Sequence, residues 1–281
     1  MTTTERPSEL DEQYPVPAEA VARLRNDGFV KLSGVLSPET IAAYEPEITG
    51  TLLKNNTESL PLEQRSTYHK AFLQVTNMWP RNEAVRRFVF SPRLAKMAAD
   101  LLEVDSVRLF ADQGLYKEPG GGVTPWHADQ YHWPLSSDRS ITVWVPLQET
   151  SREMGPLSFA VGSHRLELGR NIEISDESEA AIQASVDAAG LEVEDGPYTL
   201  GEVSYHLGWT FHHANPNRTA TPRKVMTIIY VDSDIRVIPP VNPAHFGVLE
   251  NVIPGAKVGG LIDTPVNPVL WPTVERGDDG P

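Results

Sequence analysis
The sequence predicts a mainly β fold with flanking helices, a barrel or sandwich with a helical layer packed on it. Three observations predict it. Helical patterning fills the chain up to Leu102, runs rich in β-branched and aromatic residues follow, and no internal repeat or domain boundary interrupts the 281 residues. One domain over residues 1–281 is therefore expected, with a loose polar arm over 1–15.

Each element has its own local cause. Residues 17–27 read as a helix, with Ala20, Val21 and Leu24 on one face and Gly28 to end it. Phe29, Val30 and Leu32 form a short apolar strand pattern. Ser37-Pro38 opens a second helix, serine as N-cap and proline in the first turn. Residues 82–102 read as helix with a break at Ser91-Pro92. Strands are expected at 107–116, 140–147, 155–160 and 225–231, which are rich in Val, Ile, Thr, Tyr and Trp. Within the second of these, Ile141, Val143, Val145 and Leu147 alternate with Thr142, Trp144 and Pro146, so the strand has two distinct faces. Residues 173–196 are acidic and alanine-rich and separate two strand-rich regions. They read as a solvated helix and loop, or as an inserted lid. Beyond Asp234 the chain is rich in Pro and Gly and reads as ordered wrapping.

Composition excludes whole classes of function. The formal net charge is −14, which repels nucleic acid and anionic membranes. There is no cysteine, so disulfides, zinc–thiolate sites, iron–sulfur clusters and cysteine nucleophiles are ruled out together. The first residues are polar and lack the apolar core of a signal peptide, and no apolar run approaches the roughly 20 residues of a membrane span. A cytoplasmic protein with a small-molecule partner is expected. The sequence is silent on oligomeric state.

With cysteine absent, histidine and carboxylate must carry the chemistry. His127-Ala128-Asp129 is a His-x-Asp pair; in extended chain, residues two apart share a face and can hold one metal ion side by side. A third ligand must come from His69, His132, His164, His206, His212, His213 or His245. Two imidazoles and one carboxylate make the facial triad of non-haem iron(II) oxygenases. The stretch from Gly208 to Thr219 adds a His212-His213 pair, and Arg223 stands eleven positions after His212. Its planar fork suits a carboxylate of a dicarboxylic co-substrate.

These motifs in this order resemble the phytanoyl-CoA dioxygenase family of iron(II)/2-oxoglutarate oxygenases. The resemblance starts at Asp27-Gly28-Phe29-Val30 and runs through Leu115 to Gly121, Trp126 to Pro134, Thr142 to Leu147, Gly155-Pro156-Leu157 and Gly162-Ser163-His164, and closes with His212 to Arg223. It implies a double-stranded β-helix (jelly-roll, cupin-like) core, with Fe(II), 2-oxoglutarate and O2 as the reactants beside the substrate. Matching Pro216-Asn217 to the family's run places the metal histidine at His212, so the implied iron ligands are His127, Asp129 and His212. The resemblance also implies that Arg223 holds the distal carboxylate of 2-oxoglutarate, with Gln113, Lys117 and Thr142 as further candidates to line that pocket. No basic cluster suits an acyl-CoA substrate. Members that tailor natural products, antibiotics among them, by hydroxylation, epimerisation or ring closure are the better guide.

Other readings of the same residues stand beside this one. Without the other motifs, His127 and Asp129 would be a satisfied polar pair and Arg223 a strand charge. Trp126 and Trp144 read as core, while His132 and Trp133 fit core packing and the substrate side equally. His164 reads as bonded to a turn, and His206 and His245, lacking ligand spacing, as structural or surface groups. A non-enzymatic jelly-roll binding protein and a zinc hydrolase are the competing functions. The second has no use for an arginine at Arg223 and lacks a His-Glu-x-x-His helix.

Overall fold
The computed structural model describes residues 8–167 and 169–273. The helical layer comes first. Helix α1 (Ala18–Asp27) ends on Gly28, whose φ of 85° is open to glycine at little cost. Strand β1 (Phe29–Leu32) follows, then α2 (Pro38–Asn55), where the Ser37 side chain accepts from Thr40 N. A short α3 (Thr67–Ala71) and β2 (Leu73–Thr76) precede α4 (Glu83–Val89) and α5 (Pro92–Leu102). Asn82 caps α4 and Ser91 caps α5, so the expected break at Ser91-Pro92 is two helices, each with its own N-cap.

The chain then winds between two antiparallel sheets. Strand β3 (Val107–Tyr116) lies in the major sheet and β4 (Thr124–His127) in the minor. They are followed by β5 (Ser140–Pro146, major), β6 (Leu157–Ala160, minor), α6 (Asp176–Ala188) and β7 (Val193–Glu194, minor). Next come β8 (Val203–Leu207, major), β9 (His212–Ala214, minor) and β10 (Val225–Asp232, major). Helix α7 (Pro243–Asn251) and β11 (Val269–Trp271) complete the wrap. The major sheet runs β1-β8-β5-β10-β3-β11, with β2 also paired to β3; the minor sheet runs β4-β9-β6-β7. Alternation of successive strands between two facing sheets is the double-stranded β-helix.

The two-faced pattern of β5 sets the layering. Ile141, Val143, Val145 and Leu147 join Ile228 and Tyr230 of β10 and Tyr205 of β8 in one cluster with Leu24, Ile48, Phe88 and Met97 of the helices. Thr142 and Trp144 point the other way, into the space between the sheets. On its outer side the minor sheet is covered by α6, with Ile182 and Val186 packed on Trp126, Ala160 and Phe211.

Two expectations change. Residues 1–7 of the expected arm lie outside the described residues, and the rest of it is docked from Glu9 onward instead of loose to Pro15. Leu10 is fully buried and the Glu9 carboxylate accepts from the N–H and hydroxyl of Ser37. Residues 173–196 are built into the minor sheet through α6 and through β7, which pairs with β6; only their start, at Ile174, reaches the cavity described below. No helix among the described residues is long and apolar enough to cross a membrane.

Candidate active site
Three ligand atoms converge at one end of the space between the sheets. Strand β4 ends at His127, Ala128 is extended (φ −120°, ψ 130°), and Asp129 begins a 3-10 turn, so both side chains of the His-x-Asp pair emerge on one side. Strand β9 lies beside β4 with His212 directly opposite His127. One ligand atom from each of His127, Asp129 and His212 lies within 4.8 Å of the others, a set that can hold a metal ion.

The local chain orients each ring. His127 Nδ1 lies 2.7 Å from the Pro125 carbonyl and His212 Nδ1 3.0 Å from that of Thr210. Each Nδ1–H donates to a carbonyl two residues back, which leaves Nε2 as the free lone pair. Both Nε2 atoms lie 3.7 Å from Asp129 Oδ1. Burial lowers the pKa of both imidazoles, for His212 with help from His127, so they stand neutral and ligand-ready. Burial alone would raise the Asp129 pKa; His212, His206 and His127 outweigh it and hold the carboxyl well below the usual range. The donor set therefore fits a divalent metal that prefers nitrogen and oxygen ligands.

The histidine pair is resolved by packing. His213 points to the opposite face of β9 and stacks on Trp126, ring centroids 4.0 Å apart and 11° from parallel. Of the other histidines weighed as third ligand, His69 pairs with Glu58 at the surface, His164 contacts the Arg25 carbonyl, and His245 fastens α7 to the Tyr131 carbonyl.

A cavity of about 240 Å³ opens from this cluster. The triad, His206, Thr142 and Arg223 lie on its wall. The Arg223 side chain is fully buried above Trp144, 5.4 Å from the ring centroid, and donates through Nη1 to the Gly155 carbonyl at 2.6 Å. Gly155 has a φ of 68°, and a Cβ there would meet Asn215 O at 2.0 Å, so glycine is required for this carbonyl to reach the guanidinium. Arg223 Nε has no hydrogen-bond partner and no carboxylate lies in salt-bridge range, among the described residues. Burial lowers its pKa to about 10, which leaves it charged at neutral pH. A buried cation in a cavity wall without a counter-ion calls for an anionic ligand.

The remaining candidates divide. Thr142 lines the cavity and donates to Asp129 Oδ2 at 3.2 Å, and Gln113 also lines it. Lys117 does not: its backbone pairs with Arg223, but its amine turns away to the Gly122 carbonyl (2.5 Å) and Thr124 Oγ1 (3.2 Å). Trp144 and Trp133 line the cavity as well as packing in the core, and His132 lines it too. Sequence reasoning set His206 aside as a structural or surface group; it touches Asp129 Oδ2 at 3.3 Å. A signal was present: Ser204 and His206 alternate with Val203, Tyr205 and Leu207. It also missed the walls supplied by Tyr68 and Phe72 near α3 and by Val248 and Val252 near α7.

The family model of phytanoyl-CoA dioxygenase (PhyH) matches residues 24–225. The chain belongs to this family. It is 24% identical over 228 residues to a probable alpha-ketoglutarate-dependent hypophosphite dioxygenase of Stutzerimonas stutzeri, covering 77% of this chain and 79% of that protein. It is 21% identical over 237 residues to an ectoine dioxygenase of Streptomyces anulatus, covering 77% and 78%. Among solved structures, the epimerase SnoN in complex with Fe3+, alpha ketoglutarate and nogalamycin RO superposes with a TM-score of 0.75 at 26% identity, over 90% of this chain and 97% of SnoN. The carbocyclase SnoK from nogalamycin biosynthesis shares the fold, with a TM-score of 0.74 at 23% identity over 90% and 96%. The protein is an iron- and 2-oxoglutarate-dependent dioxygenase that consumes O2, and the readings as a non-enzymatic binder or a zinc hydrolase fall.

Proposed function
We propose that His127, Asp129 and His212 hold the iron, that Arg223 binds the distal carboxylate of 2-oxoglutarate, and that the substrate is an uncharged, largely apolar small molecule of the natural-product type. One observation carries the substrate reading. Apart from histidines, Asp129 and Arg223 are the only charged side chains on the cavity wall among the described residues. The rest of the wall includes Phe110, Trp133, Ile229, Val248 and Val252, which offer apolar surface and no counter-charge. Such a wall binds by burial and shape. It disfavours zwitterions, oxyanions and the phosphates of an acyl-CoA, whose desolvation nothing there offsets. SnoN, solved in complex with nogalamycin RO, supports the same class.

When bound, the iron couples oxidative decarboxylation of 2-oxoglutarate to hydrogen abstraction from a substrate C–H bond. The chain's own residues position the partners. Two neutral imidazoles and one carboxylate hold the metal on one face, and Arg223 draws the dicarboxylate to the Trp144 side of the cavity. The apolar part of the wall excludes water and holds the substrate beside the triad. Hydroxylation, epimerisation and ring closure all start from that arrangement. The test is succinate release by the iron-loaded protein given neutral aromatic polyketide aglycones, ectoine, hypophosphite or an acyl-CoA. Coupled succinate and product are expected with neutral substrates. Efficient turnover of a charged one overturns the substrate reading.

A further inference from the structure
We infer that His206 is a positioning residue that, with Thr142, makes Asp129 present one oxygen to the metal and withhold the other. The inference rests on the ligand assignment above. The two carboxylate oxygens face different groups. Oδ1 lies 3.7 Å from Nε2 of both His127 and His212. Oδ2 turns away from the imidazole pair and accepts from Thr142 Oγ1 at 3.2 Å and His206 Nε2 at 3.3 Å. A carboxylate can bind a cation through one oxygen or through both. For Asp129 to swing to the two-oxygen form it must give up two donors at a half-buried site, where neither His206 nor Thr142 has another carboxylate to turn to among the described residues. The brace thereby keeps a coordination position clear for the co-substrate and O2.

Sheet register builds the brace. Thr142 of β5 and His206 of β8 are direct cross-strand partners, so their side chains rise together on the inner face of the major sheet. The His206 ring is wedged between Phe159, 5.4 Å away, and His212, 4.6 Å away. Its Nδ1 is buried without a hydrogen-bond partner among the described residues. Buried polar atoms are normally satisfied, so a histidine kept here with one nitrogen orphaned has its use in the other, as the Nε2–H donor to Asp129. His206 is not itself in the ligand set: the convergent group is His127, Asp129 and His212.

The experiment uses cobalt(II) as the probe, added to the metal-free full-length protein and followed by its visible absorption. His206→Phe is expected to weaken cobalt binding by about 10- to 100-fold and to change the shape of the absorption band, because Asp129 is freed to bind through both oxygens. His206→Gln, which restores an N–H donor, should recover most of the affinity and the band. Thr142→Val should shift both readouts the same way by a smaller factor. Wild-type affinity and spectrum in His206→Phe and Thr142→Val overturn the inference. If circular dichroism shows His206→Phe unfolded, Thr142→Val decides alone. Failure of the ligand assignment looks different: Asp129→Ala would then bind cobalt as tightly as the wild type.

Discussion

The two sheets carry different loads. The major sheet is centred on three long strands: ten residues in β3, eight in β10 and seven in β5. Its outer face is sealed by helices through the largest core cluster. The minor sheet is made of short strands: four residues in β4 and β6, three in β9 and two in β7. Yet His127 and His212 are on the minor sheet, while the major sheet side supplies Thr142, His206 and, just before β10, Arg223. A short strand suffices to bring two imidazoles side by side, because the pairing of β4 with β9 already sets their spacing. Holding those rings at a fixed angle needs a rigid wall, and the long strands packed on helices provide it.

The largest expected effect separates chemistry from scaffold. His127→Ala, Asp129→Ala and His212→Ala should each abolish turnover while the metal-free protein keeps its circular dichroism and melting temperature. Full activity in any one of them removes that residue from the ligand set. Next comes the co-substrate anchor. Arg223→Leu should weaken 2-oxoglutarate binding by about 2–5 kcal/mol, read as a raised requirement in succinate assays with the metal affinity unchanged. An unaltered requirement would assign the anchor elsewhere.

On the helix-facing side the consequence is stability. Ile228, fully buried on β10, should cost about 2–5 kcal/mol when cut to alanine, measured by denaturant unfolding, with the 2-oxoglutarate requirement of the folded fraction unchanged. A near-neutral result would mean that the helical layer closes over the cavity left behind.

That same face carries a pH signature. Asp112 is fully buried, and burial pushes its carboxyl up to about 7 although Oδ1 accepts the Met78 N–H at 2.8 Å. Its Oδ2 has no hydrogen-bond partner among the described residues. Because the folded value exceeds the unfolded one, the native state holds a proton that the unfolded chain has released. This contribution is present below about pH 4, the unfolded carboxylate value, and is lost as the pH rises through about 7. Melting temperatures of wild type and Asp112→Asn should therefore diverge across that window, with the wild type losing ground towards pH 7. Parallel curves would show that Asp112 is ionised throughout.

The smallest effect tests the two faces of β9. His213→Ala should leave iron binding and turnover in place and lose only its stacking on Trp126, about 0.5–1.5 kcal/mol of stability. Loss of metal binding would contradict the assignment of His212 alone.

The sequence by itself determined the main helices, the long strands and the donor types that it offers a metal. Capping at Ser37, Asn82 and Ser91 is local, so the helix starts were readable from single residues. The alternation in β5 assigned Ile141, Val143 and Val145 to one face and Thr142 and Trp144 to the other, because the side-chain period of a strand is fixed by the backbone. The absence of cysteine and the His127-x-Asp129 spacing pointed to a nitrogen- and oxygen-ligated metal for the same local reason. Where the family resemblance at Pro216-Asn217 points to His212, the tertiary structure adds that β9 presents His212 and His213 to opposite faces and that pairing with β4 sets His212 beside His127. It alone turned the Lys117 amine away from the cavity and set His206 beside Thr142 over Asp129. It also brought Val248 and Val252, far along the chain from His127 and His212, onto the same cavity wall. These are contacts between strands and segments remote in sequence. Their register is set by which faces bury together, a property of the packed sheets that no single stretch of chain contains.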